Sequence, residues 1–213
     1  RNPLSSIRMM AQMLRSRHFF NDTAPTEIYT ILSETERLND VTRDLLEFAR
    51  PTPMRFGRQD PNRIVEEVLG LLRHNTEHQG IAVVRELDSS LGSLYADGEK
   101  LRLAVLNLVL NAIQAMPQGG SLEVHTGRRV DGQVLLRVCN TGPGIPPEHI
   151  ASVFEPFFTT KKEGTGLGLA LVRTVAERHF GSVRVRSREG RTCFTVLIPA
   201  DIEEKERLLQ EGG

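Results

Sequence analysis

The sequence predicts an α+β protein, a helical hairpin followed by an α/β sandwich with a mixed sheet. Three observations carry that expectation. Apolar residues recur three and four apart through the first fifty positions. Beyond residue 61, helical stretches mix with alternating strands that double back as hairpins. Between the two patterns stands PTPMRFGRQDP (residues 51–61), whose prolines, glycine and aspartate stop a helix and favour turns.

The elements follow in order. Leu4, Ile7, Ala11 and Leu14 fall at helical spacing. A second helix carries Ile28, Ile31, Thr35, Leu38, Thr42, Leu45 and Ala49, a heptad seam widened by Leu32 and Leu46. Two such helices alone bury too little surface to be stable. A continuous seam predicts that residues 1–52 pair with a second copy as a four-helix bundle, in preference to packing on the rest of their own chain. The connection FFNDTAPTEIYT (residues 19–30) resembles the translation of a common sequencing adapter and is assigned no function. Residues 53–61 read as a linker and 62–200 as a second domain. Within it, residues 62–77 form an amphipathic helix through Ile64, Val65, Val68, Leu69 and Leu72. IAVVREL (81–87) is a strand, and LRLAVLNLVLNAIQAM (101–116) is a long apolar helix. SLEVHTG and QVLLRVCN form a hairpin turning at Val130 to Gly132. GTGLGLALVRTVAERH leads into a helix, and SVRVRS and TCFTVLIP form a second hairpin. Mixed strands and helices of this kind stack helices on one face of a sheet. The tail at 201–213 is charged.

Composition removes several function classes. With 27 basic and 27 acidic side chains, nucleic-acid binding through overall charge is disfavoured. No run approaches the roughly 20 apolar residues of a membrane span. Cys139 and Cys193 lie in apolar alternating runs and read as buried free thiols in preference to a single disulfide. His74 and His78 share a helical face without an evident third ligand, so a solvated helix end is the better reading.

Three stretches carry chemistry. In LNLVLNAIQAM, Asn107 and Asn111 stand one turn apart on an apolar helix. Buried amides must be hydrogen-bonded, and an amide oxygen suits magnesium. The alternative is a pair of core-bridging amides. CNTGPGIPPE follows a strand, and Gly142 and Gly144 let a flat ligand approach the backbone, or make an ordinary turn. In FEPFFTTKKEGTGLGLAL, Gly164, Gly166 and Gly168 alternate with Thr165, Leu167 and Leu169 where a helix begins. Such a loop cradles anions, with Lys161 and Lys162 nearby, unless its glycines serve only helix–sheet packing. It is neither a Walker A loop nor a dinucleotide fingerprint.

In order and spacing these stretches resemble the N, G1, F and G2 boxes of sensor histidine kinases, within the wider GHKL (Bergerat-fold) family of Hsp90, MutL and DNA gyrase. RNPL (1–4) resembles the end of the H box, usually H-E-x-R-N-P-L, and LLEFARP, TGPGIP and FEPFFTTK resemble nitrogen-regulation kinases. The resemblance implies ATP and Mg2+ as cofactors, with Asn111 coordinating the metal and Asn107 facing the nucleotide. In ATP-hydrolysing relatives a glutamate serves as base at the Asn107 position, and an amide cannot accept that proton. Asn140, Gly142, Gly144 and Ile145 would shape the adenine pocket, and Phe154, Phe157 and Phe158 would anchor a lid. Thr160, Lys161, Gly164, Thr165, Gly166, Leu167, Gly168 and Leu169 would complete the cofactor-binding set. Asn140 stands where the family usually has aspartate, and SREGRTCF is a residue short of the usual G-x-G-T-x-F. Asn2 falls one turn after the family's phosphoacceptor and becomes a candidate for dephosphorylating the partner regulator. The phosphorylated histidine itself would precede Arg1, so the chain is expected to bind ATP without autophosphorylating. The implied protein is a cytoplasmic, homodimeric histidine kinase core that phosphorylates a response regulator. The alternatives are a GHKL ATPase-like module or a non-catalytic dimeric scaffold.

Overall fold

The computed structural model describes residues 52–161 and 164–200, together with Ile7, Met9, Gln12, Ile31, Thr35 and Leu38. The chain divides into two compact units, residues 1–52 and 53–213. In the first unit, Ile7, Met9, Gln12, Ile31, Thr35 and Leu38 are helical. Thr35 is buried, and its hydroxyl donates to the Ile31 carbonyl one turn back at 2.6 Å. Ile7, Met9, Ile31 and Leu38 are exposed, and Ile31 and Leu38 belong to the expected seam. Asn2, the 19–30 connection and the 201–213 tail lie outside the described residues.

The second unit begins with β1 (Gly57–Gln59), α1 (Pro61–Leu71), α2 (Arg73–His78), β2 (Ile81–Leu87), β3 (Leu94–Ala96) and α3 (Gly98–Gln114). It continues with β4 (Gly120–Arg128), β5 (Gln133–Asn140), α4 (Gly168–Arg178), β6 (Ser182–Arg188) and β7 (Arg191–Pro199). Five strands form one sheet in the order β2-β4-β5-β7-β6. β2 runs parallel to β4, and the remaining pairs are antiparallel. This is the mixed sheet expected, with Leu122, Val124, Val138, Phe194 and Val196 turned into the core beneath the helices.

Local chemistry sets the helix ends. Asp60 caps α1, its carboxylate accepting from Asn62 N at 2.9 Å and Arg63 N at 3.2 Å, with Pro61 opening the first turn. The single helix expected over 62–77 breaks at Leu72, whose backbone at φ −96°, ψ 9° separates α1 from α2. Asp97 caps α3 through Lys100 N at 3.0 Å, so α3 starts three residues before Leu101, the expected first position.

Two expectations are corrected. Part of the expected linker belongs to the second unit: β1 pairs antiparallel with β3, Gly57 opposite Ala96. Arg55 N donates to Asp97 Oδ2 at 2.7 Å, and the Phe56 ring stacks on Tyr95 and meets His179 edge-on at 5.4 Å. Three residues are too few to show a strand period, which is why the prolines dominated the reading. The cysteines are not free: Cys139 and Cys193 are register partners on β5 and β7 and form a disulfide. Alternation assigns each cysteine a face, but only the strand order makes them neighbours.

His179 is fully buried at the end of α4. Asp97 N donates to its Nε2 at 3.0 Å, so Nδ1 carries the proton and donates to the Val175 carbonyl at 2.7 Å. Burial pushes its pKa below the usual histidine value.

Candidate functional site

The site is built on α3. Ala104, Val105, Leu108 and Val109 turn into the core, which leaves Asn107 and Asn111 half-buried at its margin. Asn107 Nδ2 donates to the Leu103 carbonyl at 2.9 Å, so its oxygen points away from its own helix. That oxygen lies 2.6 Å from where a Cβ on residue 168 would stand, so any larger residue there would push the Asn107 amide aside. Gly168 is the first residue of α4, and no side chain caps this helix. Its first backbone N–H groups are therefore available to an anion.

Asn111 faces a different partner. Its Oδ1 accepts from the Lys161 ammonium at 2.6 Å, and Gln114 Oε1 accepts from the same nitrogen at 2.8 Å. Lys161 is exposed as a residue, yet its ammonium is tucked against α3, and the lost hydration lowers its pKa. A cation thus sits on the Asn111 oxygen, one turn from an open helix N-terminus. Gln114 was not read from the sequence. Its signal was its position three residues after Asn111, on the same face.

Asn140 ends β5 and is buried. The loop after it passes the end of α3, so that a Cβ on Gly142 would fall 2.6 Å from the Ala115 carbonyl oxygen. Gly144 follows, and Ile145 N donates to Ser187 Oγ at 2.8 Å, with Ser187 in turn bonded to Thr192 Oγ1 at 2.7 Å. This hydroxyl pair also escaped the sequence reading, because it joins separate strands.

The lid positions divide. Phe154 packs edge-on against Phe194 at 6.0 Å, and Phe158 against His149 at 5.4 Å. Phe157, expected as a third anchor, is instead exposed, with φ 66°. Its N–H donates to the Gly166 carbonyl at 3.0 Å, and Gly166 itself has φ 68°. Two left-handed residues so close leave no room for a side chain at 166, where a Cβ would stand 2.4 Å from the Phe157 carbonyl carbon. Thr165 Oγ1 accepts from Leu167 N at 3.2 Å. The Leu167 side chain is buried, so any ligand contact from it comes from the backbone, and Leu169 packs partly against the core. Thr160 and Gly164 are exposed. The structure thus gathers Asn107, Asn111, Lys161 and Gly168 at one place, with the Asn140–Ile145 loop beside the end of α3. Asn2 and Lys162 lie outside the described residues.

Residues 96–202 match the family described as histidine kinase-, DNA gyrase B-, and HSP90-like ATPase, which makes the sandwich a domain of that ATPase class. Residues 1–53 match the His Kinase A (phospho-acceptor) domain. With both domains in one chain, this protein belongs to the sensor histidine kinases. Sensor histidine kinase ZraS of Escherichia coli K12 is 36% identical over 207 residues, covering 97% of this chain and 44% of ZraS. Signal transduction histidine-protein kinase AtoS of the same organism is 36% identical over 201 residues, covering 93% of this chain and 33% of AtoS. The chain thus spans less than half the length of these relatives. Among solved structures, full-length ShkA in complex with AMPPNP aligns with TM-score 0.78 at 25% identity, covering 92% of this chain and 43% of that one. Histidine kinase ThkA in complex with response regulator protein TrrA aligns with TM-score 0.73 at 27% identity, covering 95% of this chain and 59% of that one.

Proposed function

We propose that the second unit binds Mg-ATP among Asn107, Asn111, Lys161 and the start of α4, and that the protein sends the γ-phosphoryl to a histidine and then to a response-regulator aspartate. The observation that carries this reading is the pairing of opposite preferences. Asn111 Oδ1 holds an ammonium at 2.6 Å, while an uncapped helix N-terminus stands one turn away beside Asn107. A cation on one side and a phosphate on the other complete both. Asn111 is the residue that would hold magnesium, which when bound would neutralise phosphate charge and fix the phosphates for in-line transfer. Lys161, released from Asn111, pairs with a phosphate oxygen. Asn107 positions the first turn of α4 and has no basic oxygen to take a proton from water, so transfer prevails over hydrolysis. Asn140 accepts from the adenine amino group as a neutral amide.

The helical unit carries the remaining roles. Exposed Ile7, Met9 and Ile31 suit pairing with a second copy, and the complex of ThkA with TrrA supports regulator docking in this family. Asn2 is the candidate for orienting water during regulator dephosphorylation. None of the six histidines in these 213 residues stands in an H-box context. The need for ATP assigns this part of the protein to the cytoplasm. The test supplies an acceptor histidine in trans. The chain is mixed with a separate helical hairpin bearing H-E-x-R-N-P-L and γ-labelled ATP. Label on the hairpin histidine, lost with Asn111→Ala, is expected. Steady phosphate release without labelled histidine, itself lost with Asn111→Ala, would replace the kinase reading with an ATPase one.

A further inference from the structure

The outer face of the sheet, away from α1, α3 and α4, carries a cluster that the nucleotide site does not use. Register sets Glu123, Cys139 and Cys193 in one row across β4, β5 and β7. His125 lies two residues beyond Glu123 on β4, hence on the same face. One ligand atom each from Glu123, His125 and Cys139 lie within 4.8 Å of one another. The imidazole is already oriented. Its Nδ1 stands 2.8 Å from Glu86 Oε2, which leaves Nε2 facing Glu123 Oε2 at 3.5 Å. Nε2 is buried and has no hydrogen-bond partner. A carboxylate behind one ring nitrogen, with the other nitrogen directed at further donors, is how metal-binding histidines are held. Arg191 grips both Glu123 oxygens, at 2.8 and 2.6 Å, and one of them can be given up while the other stays paired.

We propose that reduction of the Cys139–Cys193 disulfide opens a zinc site made of Cys139, Cys193, His125 and Glu123. The face would then hold either a disulfide or zinc, never both. Two sulfurs, one imidazole nitrogen and one carboxylate oxygen form a closed four-coordinate set that suits zinc over harder cations. The chemistry balances with a dithiol reductant. It supplies two electrons and two protons, the Cys139–Cys193 bond breaks, and the reductant becomes a disulfide. Zinc then displaces the two thiol protons to solvent and is bound by two thiolates.

The test uses the 213-residue chain, reduced with a phosphine, desalted without oxygen and titrated with zinc alone against a chromophoric chelator. One zinc per reduced chain is expected, and at least about tenfold weaker binding after reoxidation. Cobalt in place of zinc should give thiolate-to-cobalt charge-transfer absorption. His125→Ala and Glu86→Gln each lower affinity by about tenfold or more, the second by loosening the imidazole. Both leave the cysteines in place, so neither variant removes the disulfide itself. A reduced chain that binds no zinc, equal binding by the disulfide form, or a cobalt spectrum without the thiolate band would overturn the proposal.

Discussion

In the proposed nucleotide site, Asn140 is the single side chain on which adenine affinity would turn. It is buried at the end of β5, beside the loop that carries Gly142. A neutral amide accepts a hydrogen bond more weakly than a carboxylate, by something like 1 kcal/mol. Asn140→Asp should therefore tighten ATP about fivefold in a binding titration, and unchanged affinity would remove Asn140 from the adenine contact. His179 makes a second prediction. Burial keeps its ring neutral and lowers its pKa in the fold. As pH falls through the ordinary histidine value of about 6.5, the unfolded chain takes up a proton that the fold refuses. Stability then declines, by up to about 1.4 kcal/mol per pH unit from this group. Denaturant melts from pH 7 to 5 should show a flatter slope for His179→Gln than for the parent chain. Equal slopes would mean that His179 titrates freely in the fold. The asparagines of α3 were legible as residues, since polar side chains on an apolar helix stand out. The cysteine pairing was not, because it depends on which strands become neighbours.

At the scale of elements, the helices and the two hairpins followed from periodicity, while the ends depended on caps. Asp97 precedes the expected helix start at Leu101, yet its carboxylate starts α3 and also receives the Arg55 N–H. One residue thus ties together the segment before β1 through Arg55, α3 through its cap, and the C-terminal cap of α4 through the bond from its own N–H to His179. Loss of a cap alone costs about 1 kcal/mol, and an orphaned N–H adds a further 1 or 2. Asp97→Ala should lower unfolding free energy by about 2–3 kcal/mol in chemical denaturation. Asp97→Asn, which keeps one acceptor oxygen, should lose less. Equal losses would show that the cap geometry does not matter. The 53–61 stretch was misread for a related reason. Its hold on the second unit comes from Phe56, Arg55 and a three-residue strand, contacts that leave no repeat in the sequence.

For the whole molecule, the order of motifs was more informative than any one of them. Paired asparagines, a glycine loop after a strand and a second glycine loop opening a helix each have an ordinary structural explanation. The fold brings Asn107 and Asn111 to the start of α4 and to Lys161, and it sets the Asn140 loop beside the end of α3. What the sequence hid was the present occupant of Asn111, since a lysine fifty positions away leaves no local trace. That contact also makes the central claim testable. The Lys161 ammonium holds the oxygen that magnesium would need, so nucleotide binding should depend on the metal and on Asn111 together. The most direct measurement is calorimetric titration of this chain with ATP, with and without magnesium, beside Asn111→Ala. The account predicts magnesium-dependent binding that the variant loses. Binding that is indifferent to magnesium, or that survives Asn111→Ala unchanged, would contradict it.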